Sequence, residues 1–465
     1  MMDGLPQGWV SIELGNHVYI AGRIGWRGLK RSEYTTTGPL FLAVKNILPN
    51  GEVDFNDTEH ISKDRYNESP EIKLQQRDIL LTKDGSIGKV GMVKSLPADV
   101  TVNSSILVVR PQDNILEARY LFHYLRGPQF QQIARDRITG SAVPHLFQKD
   151  IKKLNALVPP INEQRRIVTK LDQLLAKVDA IQKRLDKIPG ILKHFRQSVL
   201  AAACSGRLTE DWRNQNNIPD SYENTIIEKL VNYRGGFAYK SSSFVKTGKY
   251  QVVRIGNVKP FRLDLSASPV FISKDFAENT ERFRLRANDI VISMTGTKYK
   301  KDYGYASLVS DGSKSLYLNQ RISRIRCNDK VLPEFLLYWL QTNLFRVFFF
   351  EGETGNVNQG NVGADGIRNA PIELPSINEQ QEIIRRVDEL FKVADQIEER
   401  YNKANAHIDK ITQSILAKAF RGELVPQDPN DEPASELLKR IREERAKDQN
   451  QAKQKRTRKR SRVQS

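Results

Sequence analysis

Apolar residues recur in alternating steps of four and three along two long stretches of the chain. In the first stretch these positions are Ile167, Leu171, Leu174, Val178, Ile181 and Leu185, and in the second they include Ile383, Val387, Leu390, Ile397 and Tyr401. This spacing places one narrow apolar seam along one side of a long helix. The sequence therefore predicts two long helices. Their matched seams favour an antiparallel coiled coil over the alternative, in which each seam packs only on its own domain.

The two helical stretches are copies of one another. Residues 159–208 return at 375–424 with an offset of 216 and no gap, and 19 of the 50 aligned pairs are identical. Chance would supply only a few identities, so the chain contains an internal duplication. Pro189-Gly190 predicts a kink or break in the first helix. The second copy has Asn405-Ala406 at that place and need not break.

Each long helix follows a region with shorter apolar runs that are typical of strands. In the first region the predicted strands are Leu40–Val44, Leu74–Thr82 and Ser105–Arg110. The same plan returns after the first helix, where the predicted strands are Tyr250–Val258, Leu285–Ser293 and Leu318–Arg326. The loops do not repeat: Lys83–Gly91 bears little likeness to Thr295–Tyr305. The pattern predicts two scaffolds of one design that carry different surfaces.

These elements predict an α+β protein with a pseudo-two-fold internal repeat, in which two similar globular domains of mixed strands and helices are separated by two long helices. We expect five regions: an N-terminal globular domain (1–153), a central helical spacer (154–210), a C-terminal globular domain (211–370), a distal helical spacer (371–424), and a terminal segment (425–465). The terminal segment reads as a linker, a short helix capped by Ser435 and a disordered basic tail.

Composition describes a soluble globular protein, with 39% hydrophobic and 28% charged residues. No apolar run approaches the ~18 residues needed to span a bilayer. The opening segment lacks the features of a signal peptide, so we expect a cytoplasmic location. Cys204 and Cys327 are isolated, which suggests neither a disulfide framework nor a metal site.

The net charge of +18 is the first indication of a partner. Residues 451–465 carry seven Lys or Arg and no acid, which leaves +11 on the remaining chain. A basic folded region favours a polyanion, most simply nucleic acid. A helix over residues 162–188 would be roughly 40 Å long. Since one turn of B-DNA is ~34 Å, the helix pair would suit a spacer between two DNA readers.

A search for catalytic residues finds no convincing site. The loop Gly85–Lys89 lacks the spacing and the Ser/Thr of a P-loop. A nuclease pattern of two acids and a lysine can be matched to Asp54, Glu71 and Lys73, but such a match arises easily by chance. The second region has no counterpart. His123 is better explained by helix packing than by general-base chemistry. The sequence therefore predicts a chain without catalytic residues, bound cofactor or metal.

Binding residues form a more coherent set on loops and strand ends. Lys can neutralise phosphates, while Asn, Gln, Ser and Thr can read base edges. Tyr299 and Lys301 accompany the set, although ordinary solvated loops remain an alternative for each residue. The predicted DNA-binding residues are Lys83, Ser86, Lys89, Asn103, Thr139, Ser141, Thr297, Lys298, Lys300, Asn319, Arg321, Thr354, Asn356, Asn358 and Gln359.

The chain resembles the specificity subunit of type I restriction–modification enzymes. The matching segments are LPQGW near the start, PPINEQRRIVTKLDQLLAKVD, and SINEQQEIIRRVDELFKVAD followed by TQSILAKAFRGEL. The segment QSVLAAACSGRLTEDWR is most similar to the IA branch. With the repeat, these segments cover essentially the whole chain.

The resemblance implies two target-recognition domains that each bind one half of an asymmetric, bipartite site on double-stranded DNA. It also implies two modification subunits and further restriction subunits as partners, and assigns S-adenosylmethionine, ATP and Mg²⁺ to them. Three alternatives remain open at this stage: a self-contained nuclease or methyltransferase, a coiled-coil adaptor, and a stand-alone DNA-binding protein.

Overall fold

The computed structural model describes residues 5–23, 29–139, 145–219, 222–310, 315–356 and 358–461; the side chains of residues 137–139 and 449–461 are outside this description. The chain forms two compact units. Unit 1 comprises Met1–Asp186 and Lys403–Ser465, and unit 2 comprises Lys187–Asn402. Each unit combines one predicted globular domain with helical residues, so the five sequence regions do not form five separate bodies.

Unit 1 contains a four-stranded antiparallel sheet, a three-stranded mixed sheet and a strand pair. Its strands are Val10–Glu13 (β1), Val18–Gly22 (β2), Tyr34–Leu42 (β3), Glu59–Ile61 (β4), Ile79–Thr82 (β5), Val90–Met92 (β6), Val100–Val102 (β7), Ile106–Pro111 (β8) and Asn155–Val158 (β9). Its first helices are Lys63–Asn67 (α1), Ala118–Arg126 (α2), Pro128–Thr139 (α3), Gln148–Lys152 (α4) and Ile161–Leu185 (α5). The sheet orders are β2-β8-β5-β6, β4-β3-β7 and β1-β9.

Unit 2 repeats those sheets and adds two small ones. Its helices are Ile188–Cys204 (α6), Glu210–Gln215 (α7), Lys274–Asn279 (α8), Pro333–Leu340 (α9), Asn343–Glu351 (α10) and Asp365–Arg368 (α11). Its strands are Glu223–Ile226 (β10), Val231–Gly235 (β11), Tyr250–Val253 (β12), Val258–Lys259 (β13), Arg262–Leu263 (β14), Phe271–Ile272 (β15), Ile290–Ser293 (β16), Thr295–Gly296 (β17), Ala306–Leu308 (β18), Ser315–Leu318 (β19), Ile322–Cys327 (β20), Glu353–Thr354 (β21), Gly360–Val362 (β22) and Pro371–Leu374 (β23).

The repeated sheets of unit 2 have the orders β11-β20-β16-β18, β15-β12-β19 and β10-β23, which match the three sheets of unit 1 strand for strand. The added sheets are β13-β14 and β17-β22-β21. The predicted α+β architecture with an internal repeat is therefore confirmed.

Two more helices complete the chain. Helix α12 (Ile377–Ala419) is continuous through Asn405-Ala406, and its residues divide between unit 2 and unit 1 at Asn402. The first copy instead ends α5 at Leu185 and starts α6 at Ile188, with Pro189 in the first turn of α6. Pro is tolerated in that turn because its missing N–H would have had no partner there. Helix α13 (Ala434–Ser461) ends the described chain.

The predicted strands Leu74–Thr82 and Leu285–Ser293 are too long, for the same reason in both units. The backbone N–H of Gln75 donates to Asp78 Oδ2 over 2.7 Å, and Arg77 has a φ of 72°. In unit 2, Arg286 donates to Asp289 Oδ2 over 2.8 Å, and Asn288 has a φ of 65°. Each segment therefore begins as a turn closed by a buried aspartate, and the strand starts only after that aspartate.

The turn aspartates also hold the central sheet through one repeated ion pair. Arg110 on β8 contacts Asp78 through Nε and Nη2 at 2.6 and 2.7 Å. Arg326 on β20 makes the same two contacts, with the same distances, to Asp289. A bidentate guanidinium–carboxylate pair fixes orientation as well as distance. The duplication therefore preserves polar contacts of the framework in addition to its apolar core.

The long helices run antiparallel within each unit. In unit 1, Gln182 Nε2 donates to Asn405 Oδ1 over 2.8 Å, while Ile167 and Leu171 share a core with Leu416 and Ala419. In unit 2, Arg196 contacts Asp395 and Glu398, each at 2.7 Å, while Val199 shares a core with Ile383 and Val387. The predicted seam is buried at its ends.

The seam prediction is wrong at its middle. Ile181 is 51% exposed and its repeat counterpart Ile397 is 41% exposed. Near Ile181 the helices meet through the amides of Gln182 and Asn405. Near Ile397 they meet through the ion pairs of Arg196. Polar contacts thus replace apolar packing there, and neither isoleucine belongs to a continuous coiled-coil seam.

The terminal segment also differs from expectation. Ser435 lies inside α13 rather than at its N-cap, and the helix continues to Ser461 instead of giving way to a disordered tail. Residues 451–461 are rich in Lys, Arg, Gln and Ala, which have high helix propensities. Ala434 N donates to Gly8 O over 2.9 Å, so α13 begins against the start of unit 1.

Within the described part of the chain, no helix combines the length and apolar character needed to cross a membrane.

Candidate nucleic-acid interface

In unit 2, the small sheet β17-β22-β21 brings two predicted loops together. Thr295 pairs with Asn361, and Gly296 pairs with Gly360, so the loop 297–302 leaves the sheet at the end where β22 begins. Thr354 also pairs with Asn361, which places the turn 355–359 at that same end. We call these two segments the amide–lysine edge. It unites seven predicted residues: Thr297, Lys298, Lys300, Thr354, Asn356, Asn358 and Gln359.

The loop 297–302 is held in one conformation by its own bonds. The Thr297 N–H and Oγ1 donate to the two carboxylate oxygens of Asp302 over 2.7 and 3.1 Å, and the backbone hydrogen bond from Thr297 lowers the pKa of that carboxyl. Lys301 N donates to Thr297 O over 2.9 Å. Arg346 Nη2 donates to Lys301 O over 2.9 Å, which ties the loop to α10. The loop is therefore fixed before any ligand arrives.

The turn 355–359 exposes three amide side chains. Gly355 has a φ of 111°, and a Cβ there would lie 2.2 Å from Gln359 O, so this tight turn requires glycine. Gln359 N donates to Asn356 O over 3.1 Å and closes the turn. Asn356, Asn358 and Gln359 are all exposed. Exposed amides can donate to and accept from base edges, as adenine recognition requires.

Buried groups beneath this edge support the turn. Tyr303 OH donates to Glu353 Oε1 over 2.5 Å, and this bond joins the residue that follows the loop 297–302 to β21. Burial and the neighbouring Glu353 carboxylate raise the pKa of Tyr303 well above its ordinary value, so the hydroxyl stays protonated as a donor.

The corresponding edge of unit 1 has the same backbone hydrogen bonds as the edge of unit 2 but carries different side chains. Leu146 N donates to Lys83 O over 3.0 Å, and Lys83 N donates to Ser105 O over 2.8 Å. Unit 2 has the same two bonds, in which Val362 N donates to Met294 O and Met294 N donates to Arg321 O, each over 3.0 Å. The backbone frame is therefore shared, and the side chains on it are not.

The side chain of Lys83 is only 17% exposed and contacts Asp84 Oδ2 at 2.8 Å. Asp84 also pairs with His145. Burial alone would raise the pKa of Asp84, but hydrogen bonds from Lys83 and His145 lower it. The charge of Lys83 is thus neutralised locally, and its predicted role as a phosphate contact is not supported by this geometry.

The rest of the unit 1 loop forms a compact hairpin turn. Thr82 Oγ1 donates to Ser86 O over 2.5 Å and accepts from Lys89 N over 2.9 Å. Ser86 is exposed and Lys89 is half-buried. These two side chains are the predicted residues of this loop that remain available to a ligand.

The remaining predicted residues lie apart from the loop tips. Asn103 Oδ1 accepts from Ser105 N over 3.0 Å and shapes a turn, while Asn319 is half-buried beside the backbone of Gly236. Arg321 is exposed. Thr139 ends α3 rather than opening a loop, its side chain is outside the described set, and Ser141 lies outside the described residues.

Two residues of the weak nuclease pattern, Lys73 and Asp54, make local side-chain contacts, and so does His123. Lys73 Nζ donates to Asn67 Oδ1 over 2.6 Å and lies 4.3 Å from the ring centre of Tyr66. Asp54 Oδ1 accepts from both nitrogens of Asn56. His123 is buried in α2 and pairs with Asp172, and burial lowers the pKa of His123, as expected for a packed histidine. Each group is engaged in a local contact.

Sequence reasoning missed the residues that shape the two edges. His145 and Asp84 are 61 positions apart, and Arg346 and Lys301 are 45 apart, so no local pattern joins them. Phe147 was also missed: it is 45% exposed, and Lys149 lies 5.1 Å from its ring centre. A signal for Arg346 did exist, because a single cation in the aromatic run Phe345–Phe350 needs a polar partner.

Comparison with known proteins agrees with the architecture. The family model described as "Type I restriction modification DNA specificity domain" matches residues 34–189 and 219–405, one stretch for each copy of the repeat. The EcoBI specificity subunit of Escherichia coli is 32% identical over 368 residues, covering 74% of this chain and 75% of that protein. The EcoKI specificity subunit of Escherichia coli strain K12 is 28% identical over 459 residues, covering 95% of this chain and 96% of that protein.

A solved structure supports the fold. This structure, which concerns complex assembly and conformational transition of the type I R-M system, matches with a TM-score of 0.66 at 17% identity. The match covers 90% of this chain and 99% of that chain. At this identity the likeness shows the fold alone. Because the family model spans well over half of the sequence, the chain belongs to the type I restriction–modification DNA specificity family.

Proposed function

We propose that this chain is the DNA-sequence-specificity subunit of a type I restriction–modification complex. In this proposal, each unit binds one half of an asymmetric, bipartite site on double-stranded DNA. The observation that carries it is the contrast between the two loop edges. One backbone frame presents exposed amides and lysines in unit 2 and a compact, internally neutralised hairpin in unit 1.

Energetics favour two readers on one chain. A half-site of about three or four base pairs, at roughly 1–3 kcal/mol per pair, discriminates poorly among ~10⁶ competing sites. Joining two readers in one chain makes the second contact intramolecular, which multiplies selectivity without a larger interface on either unit.

Catalysis belongs to partner subunits in this proposal. The chain acts as a DNA-recognition component and as a scaffold for two modification subunits and for restriction subunits. Those partners use S-adenosylmethionine, ATP and Mg²⁺, and they supply adenine methylation and DNA cleavage. The burial of His123 against Asp172, and the local surface contacts of Lys73 and Asp54, support a non-catalytic chain.

The decisive experiment exchanges the DNA-binding part of unit 2. Residues 215–365 are replaced with the equivalent segment of another family member, and methylated DNA is sequenced from cells that carry all the subunits. We expect one half of the methylated motif to change and the other half to persist. A change in both halves, or in neither, would overturn the two-reader proposal.

We further propose that the long helices set the unread gap between the half-sites. Insertion of one helical turn into both α5 and α12 is expected to lengthen that gap in the methylated motif. An unchanged gap in cells that still methylate DNA would refute this spacer role.

A further inference from the structure

Tyr299 is an exposed aromatic residue at the tip of the loop 297–302. Its side chain is 76% exposed, more than any other large apolar or aromatic side chain among the described residues. Tyrosine usually covers its ring against protein and leaves only its hydroxyl in water. A ring displayed on a rigid loop is therefore a feature that calls for a partner.

Tyr299 is exposed on a loop that hydrogen bonds hold in one conformation. The Thr297–Asp302 bonds, the Lys301–Thr297 bond and the Arg346–Lys301 bond close the loop on both sides of the ring. A contact made by an already ordered loop loses little conformational entropy on binding.

The charges around Tyr299 favour a nucleic acid as that partner. Lys298 and Lys300 flank Tyr299 in the sequence; Lys298 is half-buried and Lys300 is exposed. Lys301 instead turns back, with Nζ 4.9 Å from the ring centre of Phe350. Two cations beside one ring suit a stacked base between two phosphates. The exposed amides of the turn 355–359 leave the sheet at the same end and would lie beside the same DNA.

We propose that Tyr299 acts as a wedge, inserting its ring at a base step of the half-site bound by unit 2 and partly unstacking it. Lys298 and Lys300 neutralise the flanking phosphates. Aromatic and apolar wedges of this kind deform DNA and generate specificity through the cost of deforming each sequence. This inference rests on the proposed function, since it assumes that unit 2 binds a half-site.

Unit 1 provides an internal contrast. Its corresponding hairpin loop, residues 83–89, contains no aromatic residue. This loop therefore supplies a wedge in unit 2 only. Phe147, the exposed aromatic residue at the edge of unit 1, packs against His145 and Lys149, so we expect the DNA distortion at the half-site of unit 2.

The test uses the full chain in complex with its modification subunits and duplexes that carry 2-aminopurine at successive positions of each half-site. The methylated adenine positions are left unsubstituted, so that base flipping by the modification subunit does not contribute to the signal. We expect fluorescence to rise at one step of the half-site assigned to unit 2 by the segment exchange, and at no step of the other half-site.

Tyr299→Ala should abolish that rise and weaken binding about ten- to hundredfold, as loss of one stacked ring does. Tyr299→Phe should retain both, because stacking does not need the hydroxyl. Lys298→Ala and Lys300→Ala should each lower the salt dependence of binding by about one unit of log–log slope, while the rise persists at saturation.

A rise that persists in the Tyr299→Ala complex at saturation, or a wild-type complex that protects the half-site without any rise, would overturn the wedge and leave the proposed function standing. A wild-type complex that protects neither half-site would instead overturn the proposed function, and the wedge with it. Since Tyr299 is exposed, unchanged thermal unfolding of the variant confirms that any loss reflects the DNA contact.

Discussion

The same buried glutamate of the repeat is satisfied in different ways in the two units. In unit 2, Glu379 Oε1 accepts from Arg213 Nη1 over 2.5 Å, Thr209 Oγ1 over 2.6 Å and Tyr222 OH over 2.7 Å. In unit 1, the counterpart Glu163 accepts from Trp9 Nε1, which lies 3.1 Å from both of its carboxylate oxygens. Trp9 and Tyr222 precede the equivalent strands β1 and β10, so the aromatic donor is repeated and the arginine is not.

This difference shows that the duplication preserved the position of a buried acid while its charge compensation diverged. Burial raises the pKa of Glu163; the Trp9 hydrogen bond and nearby Arg166 oppose that rise, and Asp431 adds to it. Arg166 is itself paired with Asp431 at 2.6 Å. Unit 1 therefore carries a weakly compensated carboxylate where unit 2 carries a buried ion pair.

Removal of the unit 2 cation should have the largest effect. Arg213→Ala leaves Glu379 buried without its counter-charge, and loss of one partner of a buried pair typically costs about 3–5 kcal/mol. Hydrogen exchange followed by mass spectrometry on the full chain would report this as lost protection in unit 2. Arg166→Ala is the matched control in unit 1; because the Arg166 side chain is 35% exposed, its loss should cost less, about 1 kcal/mol. Equal losses would mean that the two sites do not differ as described.

The neighbouring glutamine should behave alike in both units. Gln164 accepts from Glu117 N over 2.8 Å and donates to Ile115 O and Pro159 O. Gln380 accepts from Leu332 N over 2.8 Å and donates to Lys330 O and Pro375 O. Replacing either with Ala leaves buried backbone groups unpaired, at about 1–3 kcal/mol. The two losses, compared by the same exchange measurement, should agree; a large difference would show that the framework has diverged here too.

Replacing the buried glutamate by glutamine, which removes its charge, should have opposite effects on the stability of the two units. Glu163→Gln keeps an acceptor for Trp9 and removes a charge that burial disfavours, so we expect it to stabilise unit 1 at neutral pH. Glu379→Gln should destabilise unit 2, because Arg213 loses its carboxylate. The result that would contradict this contrast is destabilisation of both units.

Glu163→Gln also tests how the free energy of unfolding depends on pH, and the raised pKa of Glu163 fixes the sign of that dependence. Well below the ordinary pKa of 4.5, Glu163 is protonated in both the folded and the unfolded chain. As the pH rises from 4.5 through the raised folded-state pKa, the unfolded chain loses its proton first, so the free energy of unfolding falls. Denaturation of both proteins across this window should show that the stability of the wild type falls relative to that of Glu163→Gln as the pH rises.

The smallest effect should come from the two exposed seam positions. Ile181→Gln and Ile397→Gln replace side chains that already face solvent, so each should change the free energy of unfolding by about 0.5 kcal/mol or less. Ile167→Ala, at a fully buried position of the same seam, should cost about 2–5 kcal/mol. A comparable loss at Ile181 would restore the continuous seam that the heptad spacing predicts.

The sequence predicts most of what the duplication repeats. The offset of 216 locates both long helices, and Pro189 places the helix break. The repeated strands Leu74–Thr82 and Leu285–Ser293 each contain the aspartate, Asp78 or Asp289, that holds the framework. The spacing of apolar residues does not predict polar contacts such as Gln182–Asn405, which interrupt the seam. It also cannot distinguish Lys83, neutralised by its neighbour Asp84, from the exposed Lys300, because that depends on how the loop folds.

Unit 2 is one uninterrupted length of polypeptide, whereas unit 1 needs both ends of the chain. Phe420 lies 5.5 and 5.1 Å from the ring centres of Tyr120 and Tyr124, so the core of unit 1 lacks a side chain until residue 420 has been made. During synthesis, unit 1 is therefore completed only after all of unit 2 has been made. Until then Tyr120 and Tyr124 lack the Phe420 ring that packs against them in the folded unit.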